Sequence, residues 1–299
     1  MKNKVVFTFL VVLTTSLMGS SFAVGKIGLE YIPPLLLVGI RFALAGALMA
    51  VIVKLLKKKH PQKARDWLKI FLIGALQTAG VMGAIFLSLR TITAGESAIL
   101  TFMNPLLVVV FGTLALKISY RFLQWAGVVL GFFGVVVTRG GQVQLEIGTL
   151  FGFASAVCWA IGTLLIKTWG VRFDTWVLTA YQMLFGGMLL LLASFLLETA
   201  QPVFNGASIA IIIWLAIPAS IVQFSVWFYL LQNGNPGKVS AFLFLAPFFG
   251  VITGWLVLDE TIGMPLLVGG AMIFLGIFLV NWPDKKIAEP VQANPLVCK

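Results

Sequence analysis

The sequence predicts an all-α integral membrane protein whose ten transmembrane helices form two inverted-topology five-helix repeats. Three observations predict it: the apolar bulk of the chain, the one-sided distribution of its cations, and an internal similarity at a fixed shift. An ordinary soluble domain is about 45–50% apolar and about 25% charged, whereas this chain of 299 residues is 60% hydrophobic and 10% charged, with a mean hydropathy of +1.04. Spans of about 20 residues with short connections leave room for ten crossings. Membrane-spanning strands would read as alternating segments of about ten residues. The runs here are longer and apolar all round, so they are predicted to be helices.

Gly, Pro and charged residues punctuate these runs and place helices at 5–27, 34–56, 67–89, 94–116 and 120–138. A second set follows at 148–169, 175–198, 207–231, 236–258 and 262–282. The first run follows Lys2 and Lys4 and ends Ser20-Ser21-Phe22-Ala23, which imitates a secretory signal peptide. It is long enough to span, and the repeat needs it as helix 1, so retention is expected. The fourth helix opens with Thr93-Ala-Gly-Glu96, a capping-box pattern. The ninth opens with Asn235-Pro236, an N-cap followed by proline at the first helical position. The predicted organisation is a first repeat at 1–140, a second at 147–283, and a short polar tail at 284–299.

An even number of spans puts both termini on one side. With the N-terminus cytoplasmic, 17 of the 21 Lys and Arg lie inside, the cluster Lys54 to Lys69 prominent among them. Lys26, Arg90 and Arg139 fall outside, and Arg41 lies within helix 2. The positive-inside rule therefore predicts cytoplasmic termini. The net charge of +11 is largely a topology signal and needs no nucleic-acid partner.

At a shift of 142 residues, 85–137 overlays 227–279 without a gap. Phe102/Phe244, Pro105/Pro247, Gly112/Gly254, Gly127/Gly269 and Gly134/Gly276 coincide, as does Gly95/Gly237. Apolar helices share Leu, Val and Phe by chance, but four glycines and a proline in register point to duplication. Five helices is an odd number, so the copies must run in opposite orientation, the plan of many secondary transporters whose substrate site lies between repeats near the midplane.

Ser-Leu-Met-Gly-Ser-Ser-Phe-Ala-Val-Gly-Lys at 16–26, Arg41-Phe42, Ala98 to Pro105 and Leu256-Val-Leu-Asp-Glu-Thr261 resemble the drug/metabolite transporter superfamily, EamA type, over nearly the whole chain. The resemblance implies secondary-active export of small metabolites, often amino acids or related compounds, across the bacterial plasma membrane, with helices 5 and 10 peripheral. Where the second copy has Leu258-Asp259-Glu260-Thr261, the first reads Leu116-Lys117-Ile118-Ser119. A role for that acidic turn therefore attaches only to the second copy.

Polar side chains inside spans are costly in hydrocarbon and tend to face the bundle interior. Ser16, Ser20, Gln77, Asn104, Tyr181, Gln182 and Gln223 lie well inside their runs. Each serves either as an interhelical hydrogen bond, worth about 0.6 kcal/mol on average, or as a substrate contact. Arg41 either snorkels to the outer interface or faces a cavity. Its counterpart at a shift of 141 is the neutral Gln182, so the repeat does not require the charge. Trp159 and Trp227 sit within spans instead of at the interfaces, either packing or offering flat apolar surface to a substrate. Pro105 and Pro247 loosen their helices, for shape alone or as a paired hinge. Glu96, acidic and in the first turn of a span, is the proton-coupling candidate, set against its own capping role.

Cys158, Cys298 and His60 build no disulfide framework or metal spacing. The sequence holds no His-Glu-x-x-His, P-loop or Gly-x-Ser-x-Gly, and no aspartate cluster for Mg²⁺ and a diphosphate. The reading is therefore a transporter and not an enzyme, with no cofactor, working as a monomer or homodimer in the lipid bilayer on a small-molecule substrate, with the proton as possible coupling ion. The alternatives are an importer or exchanger of the same fold, a membrane-embedded enzyme acting on a lipid carrier, and a membrane scaffold or sensor.

Overall fold

In hydrocarbon a segment must satisfy its own backbone hydrogen bonds, and the apolar runs do so as helices. The computed structural model describes residues 4–117, 120–138, 146–233, 242–280 and 282, and every regular element among them is helical. Arg139, Asn235, Pro236, Lys238, Cys298 and the tail 284–299 lie outside the described residues.

Helix α1 covers Lys4–Gly28 and α2 Pro34–Leu55. Then α3 (Ala64–Gly74) runs through a π-helical turn, Ala75–Gly80, into α4 (Val81–Ser88). The next run is broken at Met103 into α5 (Ala94–Phe102) and α6 (Asn104–Leu116), and α7 (Phe122–Thr138) follows. The second half holds α8 (Ile147–Trp169) and α9 (Thr175–Leu197), and then α10 (Gly206–Ala216), which passes through a π-turn, Ile217–Val222, into α11 (Gln223–Asn233). A 3₁₀ turn at Phe242–Phe244 leads into α12 (Leu245–Leu258), and α13 (Met264–Val280) closes the described chain. Among the described residues, seven continuous helical stretches are long and apolar enough to cross a membrane, and Phe122–Val137, Leu245–Leu258 and Met264–Val280 are shorter apolar helices. The protein is an all-helical integral membrane protein.

The irregularities recur in register. The two π-turns begin at Ala75 and Ile217, 142 residues apart. Lys117 and Asp259, at the same shift, both take left-handed backbone, with φ of 53° and 51°. Pro105 follows the break at Met103, and Pro247 sits in the first turn of α12 just after the 3₁₀ turn. A proline offers no N–H donor to the carbonyl four residues earlier and its ring crowds that carbonyl, which accounts for a break within the turn before each proline.

The tightest pairings are α2 with α9 and α7 with α13. Both rest on glycines that bring backbones together. A side chain at Gly127 would strike the Gly276 carbonyl, and one at Gly134 the Gly269 carbonyl. Likewise Gly46 abuts Leu184 while Gly187 abuts Ala43. Each contact is reciprocal under the sequence shift, as in a two-fold interface, where residue i meets j and j meets i. Helix α1 packs on α12 at Gly19 and Gly250, and α8 lies against α4, α5 and α6.

Carboxylates cap neighbouring helices at one end of the bundle. Glu260, in the α12–α13 turn, accepts from the backbone N–H of Ala94 (2.7 Å) and Gly95 (3.3 Å) at the start of α5, and pairs with Lys26 Nζ at 2.9 Å. Lys26 also donates to the Ile92 carbonyl at 3.0 Å. Glu198, after α9, accepts from Leu35 N (2.8 Å) and Leu36 N (3.0 Å) at the start of α2. Helix N-termini present orphan N–H groups and a partial positive charge, which these carboxylates satisfy from another helix.

Candidate functional site

A cavity of about 230 Å³ opens among α1, α2, the two π-turns, α8, α9 and α11. Both halves of the chain line it. The polar side chains are Arg41, Gln77, Gln182 and Gln223, with Ser21 and Thr78. Aromatic walls come from Phe22, Phe42, Phe86, Phe102, Trp159 and Trp227. Phe102 meets the Trp159 ring edge-on at 5.3 Å and the Phe22 ring at 6.2 Å.

Arg41 is 3% exposed and does not snorkel to an interface. Its Nε donates to Ser220 Oγ and its Nη2 to the Ala219 carbonyl, both at 2.9 Å, and its guanidinium carbon lies 4.7 Å from the Phe42 ring centre. The π-turn of α10–α11 makes this docking possible, because a π-turn displaces the regular hydrogen-bond ladder and Pro218 contributes no donor to it. Ser220 passes its own proton to the Leu215 carbonyl at 2.9 Å, which leaves its oxygen to accept from Arg41. A cation at the centre of a spanning helix costs about 2.5–3.5 kcal/mol on insertion scales. Arg41 takes no part in the ion pairs seen among the described residues, such as Lys26–Glu260, Lys58–Asp174 and Lys69–Asp66.

Gln182 and Gln223 are buried and Gln77 is half-buried, and none of the three is fully satisfied. Gln77 Oε1, Gln182 Oε1 and Gln223 Nε2 have no hydrogen-bond partner among the described residues. An unsatisfied buried polar atom costs about 1–3 kcal/mol, so a shared cavity bordered by three of them is built at the expense of stability. Glycine makes room for one of them, since the Gln77 carboxamide occupies the space a side chain at Gly162 would take. Gln182 lies where α9 presses on Gly74, just before the first π-turn.

The remaining sequence candidates lie elsewhere. Ser16 and Ser20 turn their hydroxyls back to the Leu13 and Leu17 carbonyls of their own helix, while Met18, Ser21 and Phe22 line the cavity. Tyr181 stands in an aromatic cluster with Trp67, at 4.7 Å, and His60, at 5.6 Å. Asn104 is buried at the start of α6, and neither it nor Pro105 or Pro247 lines the cavity. Glu96 completes the capping box: its N–H donates to Thr93 Oγ1 at 3.0 Å, and its carboxylate accepts from Thr93 N at 3.2 Å. It too is outside the cavity lining.

Sequence reasoning missed the carboxylate caps Glu198 and Glu260, the docking partners Ala219 and Ser220, and the wall residue Ser21. For Ser21 a signal was present: Met18, Ser21 and Phe22 share one helical face, which the choice of Ser16 and Ser20 ignored. Among the described residues no group of three or more His, Cys, Asp or Glu is placed to hold a metal.

Comparison with known proteins decides the family. The model of the EamA-like transporter family matches this chain twice, over residues 6–140 and 146–282. The chain belongs to the EamA-like transporter family. Among the EamA relatives, the uncharacterized transporter YvbV of Bacillus subtilis is 30% identical, the match covering 89% of this chain and 88% of YvbV. The uncharacterized inner membrane transporter YedA of Escherichia coli is 28% identical, with 91% of each chain covered. A WAT1-related chloroplastic protein of Arabidopsis thaliana is 26% identical over 89% of this chain and 67% of its own length. One crystal structure shares the fold, with a TM-score of 0.63 at 20% identity, covering 93% of this chain and 96% of that one. As an EamA member the protein is a membrane transporter acting on a small molecule.

Proposed function

We propose that the protein is a secondary-active exporter of small metabolites, amino acids and related compounds among them, which works by alternating access between two inverted five-helix repeats in the plasma membrane, with both termini cytoplasmic. The observation that carries this reading is the cavity. It is contributed by both halves, lies deep among apolar helices, and gathers Arg41 with three glutamines whose buried polar atoms lack partners. Polar groups of that kind inside a membrane bundle mark a substrate path. The reciprocal glycine contacts and the two π-turns in register support the inverted-repeat arrangement. Its volume of about 230 Å³ falls below the ~300–1,000 Å³ of drug-sized pockets, which favours a small metabolite over a lipid carrier.

The predicted orientation puts Lys26, Glu260 and Glu198 on the outer face. The bridges they make hold the outer ends of the halves together, while lining residues such as Ile166, Trp227 and Leu243 extend the cavity toward the cytoplasmic ends. This supports an inward-facing state.

Counterflow in proteoliposomes tests the proposal. Protein reconstituted with a preloaded metabolite panel should exchange at least one labelled compound, and Gln182→Ala and Gln223→Ala should cut that exchange about tenfold without lowering the yield of folded protein. No exchange of any compound, or unchanged exchange in both variants, would remove the cavity from the transport path.

A further inference from the structure

We infer that the substrate is a small organic monoanion, its anionic group paired with the Arg41 guanidinium and its apolar body, aromatic by preference, packed against Phe102, Trp159 and Trp227. The inference rests on the transporter reading and narrows it: among the small metabolites proposed there, it selects anions and sets zwitterionic amino acids aside.

Charge comes first. An arginine stays protonated in proteins, so Arg41 brings a positive charge to the cavity, and among the described residues that line it none is acidic. Arg41 spends one donor on Ser220 and one on Ala219. A guanidinium has five N–H donors, so the planar edge that pairs with carboxylate or phosphate in two parallel bonds keeps donors to spare. Both anchors are neutral acceptors, which aim the group without cancelling its charge. A buried charge is stabilised only when it is paired. A monoanion makes the loaded cavity neutral, whereas a zwitterion leaves it at +1 and also brings an ammonium that no carboxylate receives.

The rest of the lining reads the body of the substrate. Gln77, Gln182 and Gln223 line the same cavity; their unpartnered atoms are two carbonyl oxygens and one amide nitrogen, and rotation of a carboxamide turns either its donor or its acceptor toward the polar end. Phe102 and Trp159, packed edge to face, add apolar aromatic surface to the same lining, against which an aromatic body can pack.

The test uses three probes on one carbon skeleton: 3-phenylpropionate, its primary amide, and L-phenylalanine, which adds an ammonium. Binding to the purified full-length protein is read by quenching of tryptophan fluorescence and by the thermal unfolding midpoint, in a non-ionic detergent free of anionic lipid so that no headgroup competes. 3-Phenylpropionate should bind at least tenfold tighter than either analogue and raise the midpoint. Arg41→Gln should erase that preference, and Arg41→Lys should keep a reduced one. Should Arg41→Gln fail to fold, Ser220→Ala, which frees the Nε anchor, should narrow the preference severalfold. The inference is overturned if the amide or phenylalanine binds as tightly as the carboxylate, if none of the three binds, if the preference survives in Arg41→Gln, or, where that variant does not fold, if Ser220→Ala leaves the preference undiminished. Exchange of phenylalanine without 3-phenylpropionate in counterflow would also overturn it while leaving the transporter reading intact. Carboxylate-selective binding without any counterflow would preserve the anion site and remove transport instead.

Discussion

Glu96 shows how one side chain holds two meanings that only a substitution separates. Its capping bonds with Thr93 fix the start of α5, a role glutamine also serves at that position. Glu96→Gln should therefore leave the unfolding midpoint within a degree or two. If Glu96 couples transport to protons, the variant keeps substrate exchange and loses accumulation driven by a pH gradient in proteoliposomes; unchanged gradient-driven uptake assigns Glu96 to capping alone. Gly162 makes a second residue-scale test. A methyl group there displaces the tip of the Gln77 carboxamide, a flexible group that yields cheaply while alanine gains helix propensity, so Gly162→Ala should change stability by no more than about 1 kcal/mol yet weaken substrate binding through displacement of Gln77. The measurement is a denaturation midpoint alongside counterflow. At this scale the sequence was half informative: rarity in an apolar run singled out Arg41 and the three glutamines, because a polar group there needs a reason. It misplaced Ser16, Ser20 and Tyr181, because a hydroxyl can satisfy itself on its own helix or sit in an aromatic cluster, and rarity does not reveal direction.

Apart from the ninth, whose expected start at 236 lies outside the described residues, the apolar runs were legible to within a few residues, since length, hydropathy and capping signals agree along them. Their interruptions were less so. Pro105 and Pro247 announced the breaks near Met103 and Leu245, but the π-turn at Ala75–Gly80 contains no proline and leaves no trace in periodicity over so short a length. The interhelical caps were hidden for a different reason: Glu260 reaches α5 from a turn 166 residues away in sequence, and no local pattern encodes such a partner. The two backbone bonds and the ion pair that Glu260 makes yield a specific expectation. Hydrogen bonds to charged groups contribute about 1.5–3 kcal/mol each, so Glu260→Ala should lower stability by about 2–4 kcal/mol. It should also free the α4–α5 end, so that a cysteine introduced at Ala94 reacts with an impermeant maleimide at least several times faster than in the otherwise wild-type background. Equal labelling rates would mean that this contact does not hold the outer seam.

At the scale of the whole molecule, the sequence shift and the reciprocal contacts converge on one arrangement. Gly127 and Gly134 were paired with Gly269 and Gly276 by sequence, and in the fold they meet crosswise, Gly127 on Gly276 and Gly134 on Gly269, as a two-fold relation between halves requires. The proposed orientation rests on the cations: a cysteine at Lys58 should resist an impermeant reagent in intact cells and react after permeabilisation, and ready labelling in intact cells would invert the topology. Transport by alternating access demands that the halves separate at one end while they close at the other. A side-chain Cβ at Gly95 would stand 3.7 Å from the Cβ of Val251, across the seam between α5 and α12, which matches the ~3.8 Å mean Cβ separation of a disulfide. The most direct measurement is counterflow by the Gly95→Cys/Val251→Cys variant, in a background with Cys158 and Cys298 replaced by serine, with disulfide formation followed by thiol titration. The oxidised protein should lose exchange and recover it on reduction. Exchange at the unlocked rate with the disulfide fully formed would contradict alternating access across this seam.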